Sequence, residues 1–212
     1  MFEKRLKKLQ KSLEANKVDA LLVSSAANIF YLTGIDSFSH TEREAYLFVT
    51  ERTAMLFTDG RYIEGIKNKL PNSVNAFLHT EMFKKIKKTN AKRIGFEQNF
   101  TVAELKRFKK ETSLNFTLIK PLIEPLRAVK DAEEIKKIKL ACNLTDKCYS
   151  NILKNIRTNI TEKELAWQIE SFIKEAGGEL AFDTIVAFGP NSAIPHHQTS
   201  NKKLSKTDRF VL

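Results

Sequence analysis

The chain has 212 residues, of which 42% are hydrophobic and 29% charged, enough apolar material for one large or two smaller soluble domains. Seven Gly and five Pro argue against a long disordered segment, no apolar run reaches the roughly 18 residues of a membrane span, and the charged start MFEKRLKKLQ lacks the apolar stretch of a secretory signal. The formal net charge of +11 leaves room for a polyanion, but its lysines (KRLKKLQK, FKKIKK, LKRFKK, EIKKIK) alternate with apolar residues as on solvated helix faces, with no RNA-binding signature or zinc finger. No nucleic-acid or membrane partner is expected.

Residues 2–17 read as an amphipathic helix with Leu6, Leu9 and Leu13 on one stripe. VDALLVSS reads as a short buried strand. AYLFVT and TAMLFT, separated by Glu51 and Arg52, read as an antiparallel hairpin. DGRYIEGIKNKL is expected to be a helix ending before Pro71, and RIGFE another strand. Thr101 and Glu104 have capping-box spacing and open the helix VAELKRFKKET, after which LNFTLIK is a strand. This alternation predicts an α/β domain with a largely parallel or mixed sheet.

The texture changes at KPLIEPLRAVKD, where two prolines predict a linker or boundary. Asp131 and Glu134 then start a long helix whose single packing face is expected to carry Ile135, Ile138, Cys142, Thr145, Tyr149 and Ile152. Thr161 and Glu164 form another capping pair, opening EKELAWQIESFIKEA, and Gly177–Gly178 are expected to stop that helix in the left-handed region. FDTIVAFG reads as a strand, and DRFVL as a strand barely begun. Two helices and an unfinished sheet predict a second domain cut short. Cys142 and Cys148, six apart on one helix, are expected to be reduced core or boundary residues of a cytoplasmic protein.

Four histidines are present. His40 and His79 lie in polar, loop-like stretches and are expected to be exposed or structurally hydrogen-bonded. His196 and His197 follow Pro195 on a Gly/Pro/Asn/Ser loop just after a buried strand, where α/β folds place ligands. An imidazole there can polarise a carbonyl or move a proton near neutral pH, although two loop histidines without a role fit the same pattern. A metal site is poorly supported. Adjacent histidines rarely share an ion, and the nearest carboxylates, Asp183 and Asp208, are placed at a strand start and in a turn. No nucleophile elbow or phosphate loop is present.

EPLRAVKDAEEIKKIKLAC and TEKELAWQIESFIKEAGGELAFDTIVAFGPNSAIPHH, with the spacing between them, resemble the proline-specific metallopeptidases. These are the Xaa-Pro aminopeptidases and Xaa-Pro dipeptidases (prolidases) of the creatinase/methionine aminopeptidase pita-bread fold. SSAANIFYLTGID and LFTDGRYIEGI resemble that family's N-terminal motifs, so the likeness runs through the whole chain. The resemblance implies a creatinase-like N-terminal α/β domain with a mixed sheet over 1–125. It also implies the N-terminal part of an incomplete pita-bread (α+β) catalytic domain over 126–212. In a full-length member two divalent ions (Mn, Co or Zn), held by two aspartates, one histidine and two glutamates, activate the attacking water. A further histidine binds substrate and stabilises the tetrahedral intermediate. His196 matches that histidine, and His197 falls at the variable position after it.

The first metal-binding aspartate of the family sits in an L-x-D-x-G segment just beyond a stretch like LSKTDRFVL, and Leu212 falls short of it. Asp208, in Thr207–Asp208 where the family usually has Gly-Asp, matches a turn residue. All five ligands are therefore expected to be missing, leaving no metal and no activity in this chain alone. Proline-containing peptides are the expected substrates of a completed enzyme, and a homodimer is the family expectation. A non-catalytic peptide- or protein-binding module and a creatinase-like hydrolase are the alternative readings, since fold alone does not separate them.

Overall fold

The computed structural model describes residues 1–39 and 41–211, so the expectation for His40 lies outside the described residues. The chain divides into two compact units, Met1–Val129 and Lys130–Leu212.

In the first unit the elements run α1 (Phe2–Ala15), β1 (Ala20–Val23), α2 (Ala26–Thr33), β2 (Ala45–Thr50), β3 (Ala54–Thr58) and α3 (Ile63–Ile66). They continue with β4 (Val74–Leu78), α4 (Met82–Lys88), β5 (Arg93–Phe96), α5 (Val102–Thr112), β6 (Asn115–Leu118) and α6 (Glu124–Ala128). The strands form a six-stranded sheet in the order β4-β3-β2-β1-β5-β6. β2 is antiparallel to both β1 and β3, while the β3–β4, β1–β5 and β5–β6 pairs are parallel, so the sheet is mixed.

Side chains of a strand alternate between faces, and here both faces are covered. Leu21 and Val23 of β1 pack with Leu6, Leu9 and Leu13 of α1 and Ile29 and Leu32 of α2. Ala20 and Leu22 point to the other layer, with Met82 and Ile86 of α4 and Phe108 of α5. Burial on both faces is why β1 and β2 read as nearly continuous apolar runs.

One stretch of this unit departs from expectation. DGRYIEGIKNKL forms only the single turn α3 followed by turns, because Gly65 weakens the helix and Pro71 disfavours helical backbone before it. The motif SSAANIFYLTG folds as α2, ending at Gly34 with φ +80°; the Phe2 ring packs so closely there that a Cβ would meet it at 2.7 Å. KPLIEPLRAVKD holds the division between the units, at Val129/Lys130, and its first part is packed. Ile123 is 1% exposed in the core, and α6 is tied to α2 by Tyr31 Oη donating to Leu126 O (3.0 Å) and Arg127 Nη1 donating to Asn28 Oδ1 (2.8 Å).

The second unit holds α7 (Ala132–Asn155), α8 (Glu162–Glu175) and the two-residue strands β7 (Ala187–Phe188) and β8 (Phe210–Val211), paired antiparallel. The boxes at Asp131/Glu134 and Thr161/Glu164 are formed in both directions, and Gly177 has φ +78°. The packing face expected on α7 is largely uncovered. Ile135, Ile138 and Tyr149 are 45%, 49% and 53% exposed; the buried positions are Cys148 and Ile152, in the half of α7 that meets α8. FDTIVAFG is likewise a ladder strand only at Ala187–Phe188; upstream, Val186 N and Thr184 O are satisfied by the Thr199 hydroxyl instead.

Candidate functional site

The loop carrying the two histidines leaves β7 at Gly189, whose φ is +51°. A Cβ there would meet Asp208 Oδ1 at 2.5 Å, so a side chain is strained by conformation and requires the Asp208 carboxylate to move. A 3₁₀ turn, Gly189–Ala193, follows, closed by Ser192 Oγ donating to Gly189 O (2.6 Å). His197 N then donates to Ile194 O (3.2 Å), making Ile194–His197 a β-turn with Pro195 at the position whose φ proline presets. His196 occupies the exposed tip, and its ring makes no hydrogen bond to the described residues.

His197 points back into the unit. Its Nε2 lies 2.8 Å from Glu162 Oε2, and its side chain is 11% exposed. Glu162 stands in the first turn of α8 with its side chain fully buried. Oε1 accepts from Phe188 N and Asn191 Nδ2, both at 2.8 Å. Oε2 accepts from Ser200 N (2.8 Å), Ser200 Oγ (2.6 Å) and His197 Nε2. An ionised carboxylate only accepts, so the imidazole is the donor in that last bond. Burial pushes the Glu162 carboxyl up, but the bonds from Ser200, His197, Phe188 and Asn191 outweigh it and bring it down to about 2.

The loop returns along the start of α8. Glu162 N donates to Lys202 O and Lys163 N to Ser200 O, satisfying amide groups that a helix N-terminus leaves open. Glu162 carries no distinctive signal in the sequence: a glutamate beside a capping threonine reads as helix-start chemistry, and its role comes from partners 26 to 38 residues away.

The other sequence-marked residues do not join this group. Asp183 is exposed and precedes no regular strand at its own position. Asp208 accepts from Ser205 N (3.0 Å), a turn contact that holds its carboxyl below the usual range. Cys142 is exposed; Cys148 is buried, and burial raises its thiol. His79 opens the 3₁₀ turn His79–Glu81 against the Tyr46 ring, with burial lowering its imidazole. Among the described residues no group of three or more His, Cys, Asp or Glu is arranged to hold a metal ion.

In the first unit, chemistry converges on Asn28, which is fully buried. Its Nδ2 donates to Glu97 Oε1 (2.6 Å) and Glu124 Oε1 (2.8 Å), and Glu97 Oε2 accepts from Ser24 N and Ser25 N at the start of α2. Burial, with the Glu124 charge in support, pushes the Glu97 carboxyl up against those bonds. Both carboxylates have protein partners, so this arrangement ties α2 to β5 and α6.

Residues 5–129 match the Creatinase/Prolidase N-terminal domain and residues 136–212 match the Metallopeptidase family M24. The chain belongs to the creatinase/prolidase family of metallopeptidases. Among its relatives is the Xaa-Pro dipeptidase of Pyrococcus horikoshii, 28% identical over 214 residues, covering all of this chain and 60% of that protein. The structure of an Xaa-Pro dipeptidase from Bacillus anthracis superposes with a TM-score of 0.88 at 25% identity, over 99% of this chain and 59% of the other. The X-Pro aminopeptidase from Thermotoga maritima gives 0.77 at 29% identity, over 93% and 58%. The chain thus spans about 60% of the length of the curated relatives it matches. The mixed α/β architecture is that of the creatinase/pita-bread prolidases.

Proposed function

We propose that this chain supplies the N-terminal domain (1–125) and the first, substrate-side part of the catalytic domain (126–212) of a cytoplasmic, homodimeric Xaa-Pro peptidase that hydrolyses the bond before proline. The observation carrying this reading is the loop. A turn preset by Pro195 and anchored on both sides to one buried carboxylate holds the His196 imidazole at the exposed tip, with no hydrogen-bond partner among the described residues. Such a ring can meet the carbonyl of a bound peptide and stabilise the negative charge that develops on its oxygen. His196 is the substrate-binding and intermediate-stabilising residue of this proposal, and His197 anchors the loop.

Two divalent ions in a member of this family supply an activated water. The described residues group no three donors for an ion, so they do not fit such a centre, and no step is derived through one. Residues 1–212 by themselves are accordingly proposed to bind a proline-containing peptide without cleaving it. The test is incubation of the chain with Ala-Pro and Mn²⁺, with binding followed by NMR of the histidine rings and cleavage by release of free proline. Movement of the His196 signals without proline release is the expected result. Release of proline sinks the claim of inactivity, and unmoved His196 signals sink the assignment of His196.

A further inference from the structure

The five donors that converge on Glu162 bracket the turn bearing His196. Phe188 N and Asn191 Nδ2 lie before it; His197 Nε2 comes from its last residue, and Ser200 N and Ser200 Oγ lie after it. Two of them are backbone N–H groups, which cannot reverse their role, and they sit on different oxygens of the same carboxylate. A group at this place must accept on both ends. An amide of the same shape would turn its NH₂ toward one of those backbone donors and leave it unpaired in a buried site. The carboxylate also stands in the first turn of a 14-residue helix, where the helix dipole favours negative charge.

We infer that Glu162 is the positioning residue of the His196 loop: its carboxylate, gripping Phe188, Asn191, His197 and Ser200, fixes the Pro195–His196 turn for substrate. The functional half of this statement rests on the role proposed for His196. His197, at the position following the substrate histidine, is one of five clamps and not a second catalytic group. Fixing a substrate-facing group through a partner on a rigid helix limits the motion that otherwise degrades its alignment.

The experiment uses the 212-residue chain with isotopically labelled histidine, comparing wild type, Glu162→Gln, His197→Ala and Leu165→Ala. Leu165 is a fully buried core residue of the same helix, so its truncation weakens the unit while sparing the carboxylate. In Glu162→Gln, amide exchange at Phe188 and Ser200 is expected to rise about tenfold or more, confined to 188–200, with the His196 ring signals broadened or split. His197→Ala, which keeps four donors, is expected to do less, and Leu165→Ala to loosen the unit evenly without altering His196. If Glu162→Gln does not fold, the donor-side double variant His197→Ala/Ser200→Ala is read against the same local-versus-even criterion. Wild-type-like exchange and ring signals, or protection lost evenly over the unit, overturn the inference. Ala-Pro is then titrated into each protein: failure to move wild-type His196 counts against the proposed function, while the exchange and ring signals judge Glu162 independently.

Discussion

Pro195 presets the turn, the next residue is carried to its tip, and the one after it turns inward to Glu162. Adjacent imidazoles therefore have separable effects. In an active form of the proposed peptidase, His196→Ala is expected to lower kcat by roughly 10²-fold or more at unchanged thermal midpoint, the usual scale for a polarising or acid–base group. Unchanged kcat removes His196 from the chemistry. His197→Ala is expected instead to lower the unfolding free energy of the chain by about 1 kcal/mol, the worth of one hydrogen bond, measured by urea unfolding. Asn28 gives a second residue-scale test. Asn28→Asp sets a third carboxyl between Glu97 and Glu124 and removes the donor both rely on. A loss of about 3 kcal/mol is expected in denaturant unfolding, and a loss under about 1 kcal/mol would show that the network contributes little.

At the scale of elements, the helix starts show how local chemistry reads from sequence. The boxes at Thr101/Glu104, Asp131/Glu134 and Thr161/Glu164 are formed as their spacing implies, because both partners lie three residues apart in one turn. Thr161→Ala is expected to cost about 1 kcal/mol, measured by urea unfolding. Helix α8 also sets an acid dependence. The Glu162 carboxyl is depressed to about 2 from an ordinary 4.5, so its contribution is complete above the unfolded value and is lost as pH falls toward the folded one. The gap in thermal midpoint between wild type and Glu162→Gln is therefore expected to narrow between about pH 5 and 2, because a protonated carboxyl no longer accepts on both oxygens. A gap constant across that range contradicts the assignment. Glu97 has the opposite sign: its proton is held more tightly folded than unfolded, so its contribution improves as pH falls through its raised value.

For the whole molecule, the first unit has a sheet covered on both faces, and α6 closes it through Ile123, Leu126 and Arg127. Residues 1–129 are expected to fold alone with a cooperative thermal transition, and a broad, featureless melt would count against that. Residues 1–128 of such a fragment keep the Asn28–Arg127 bond, whereas a cut at 120 removes it with α6 and is expected to weaken the fold.

Much of this order was legible along the chain. The β2–β3 hairpin, the Leu6/Leu9/Leu13 stripe, the capping boxes and Gly177 follow from rules that act over a few residues, and the separate motifs carried the family resemblance. The sequence by itself determined where the capped helices α5, α7 and α8 begin, which side chains are apolar and which loop bears the histidines. Only the tertiary structure decided that Asn28 meets Glu97 and Arg127 from 69 and 99 residues away, that most of the α7 stripe stays uncovered, and that Glu162 holds the histidine loop. Periodicity says which way a side chain faces along its own element. What lies opposite depends on how distant elements pack, and a buried carboxylate gains its meaning only from the donors that packing brings to it.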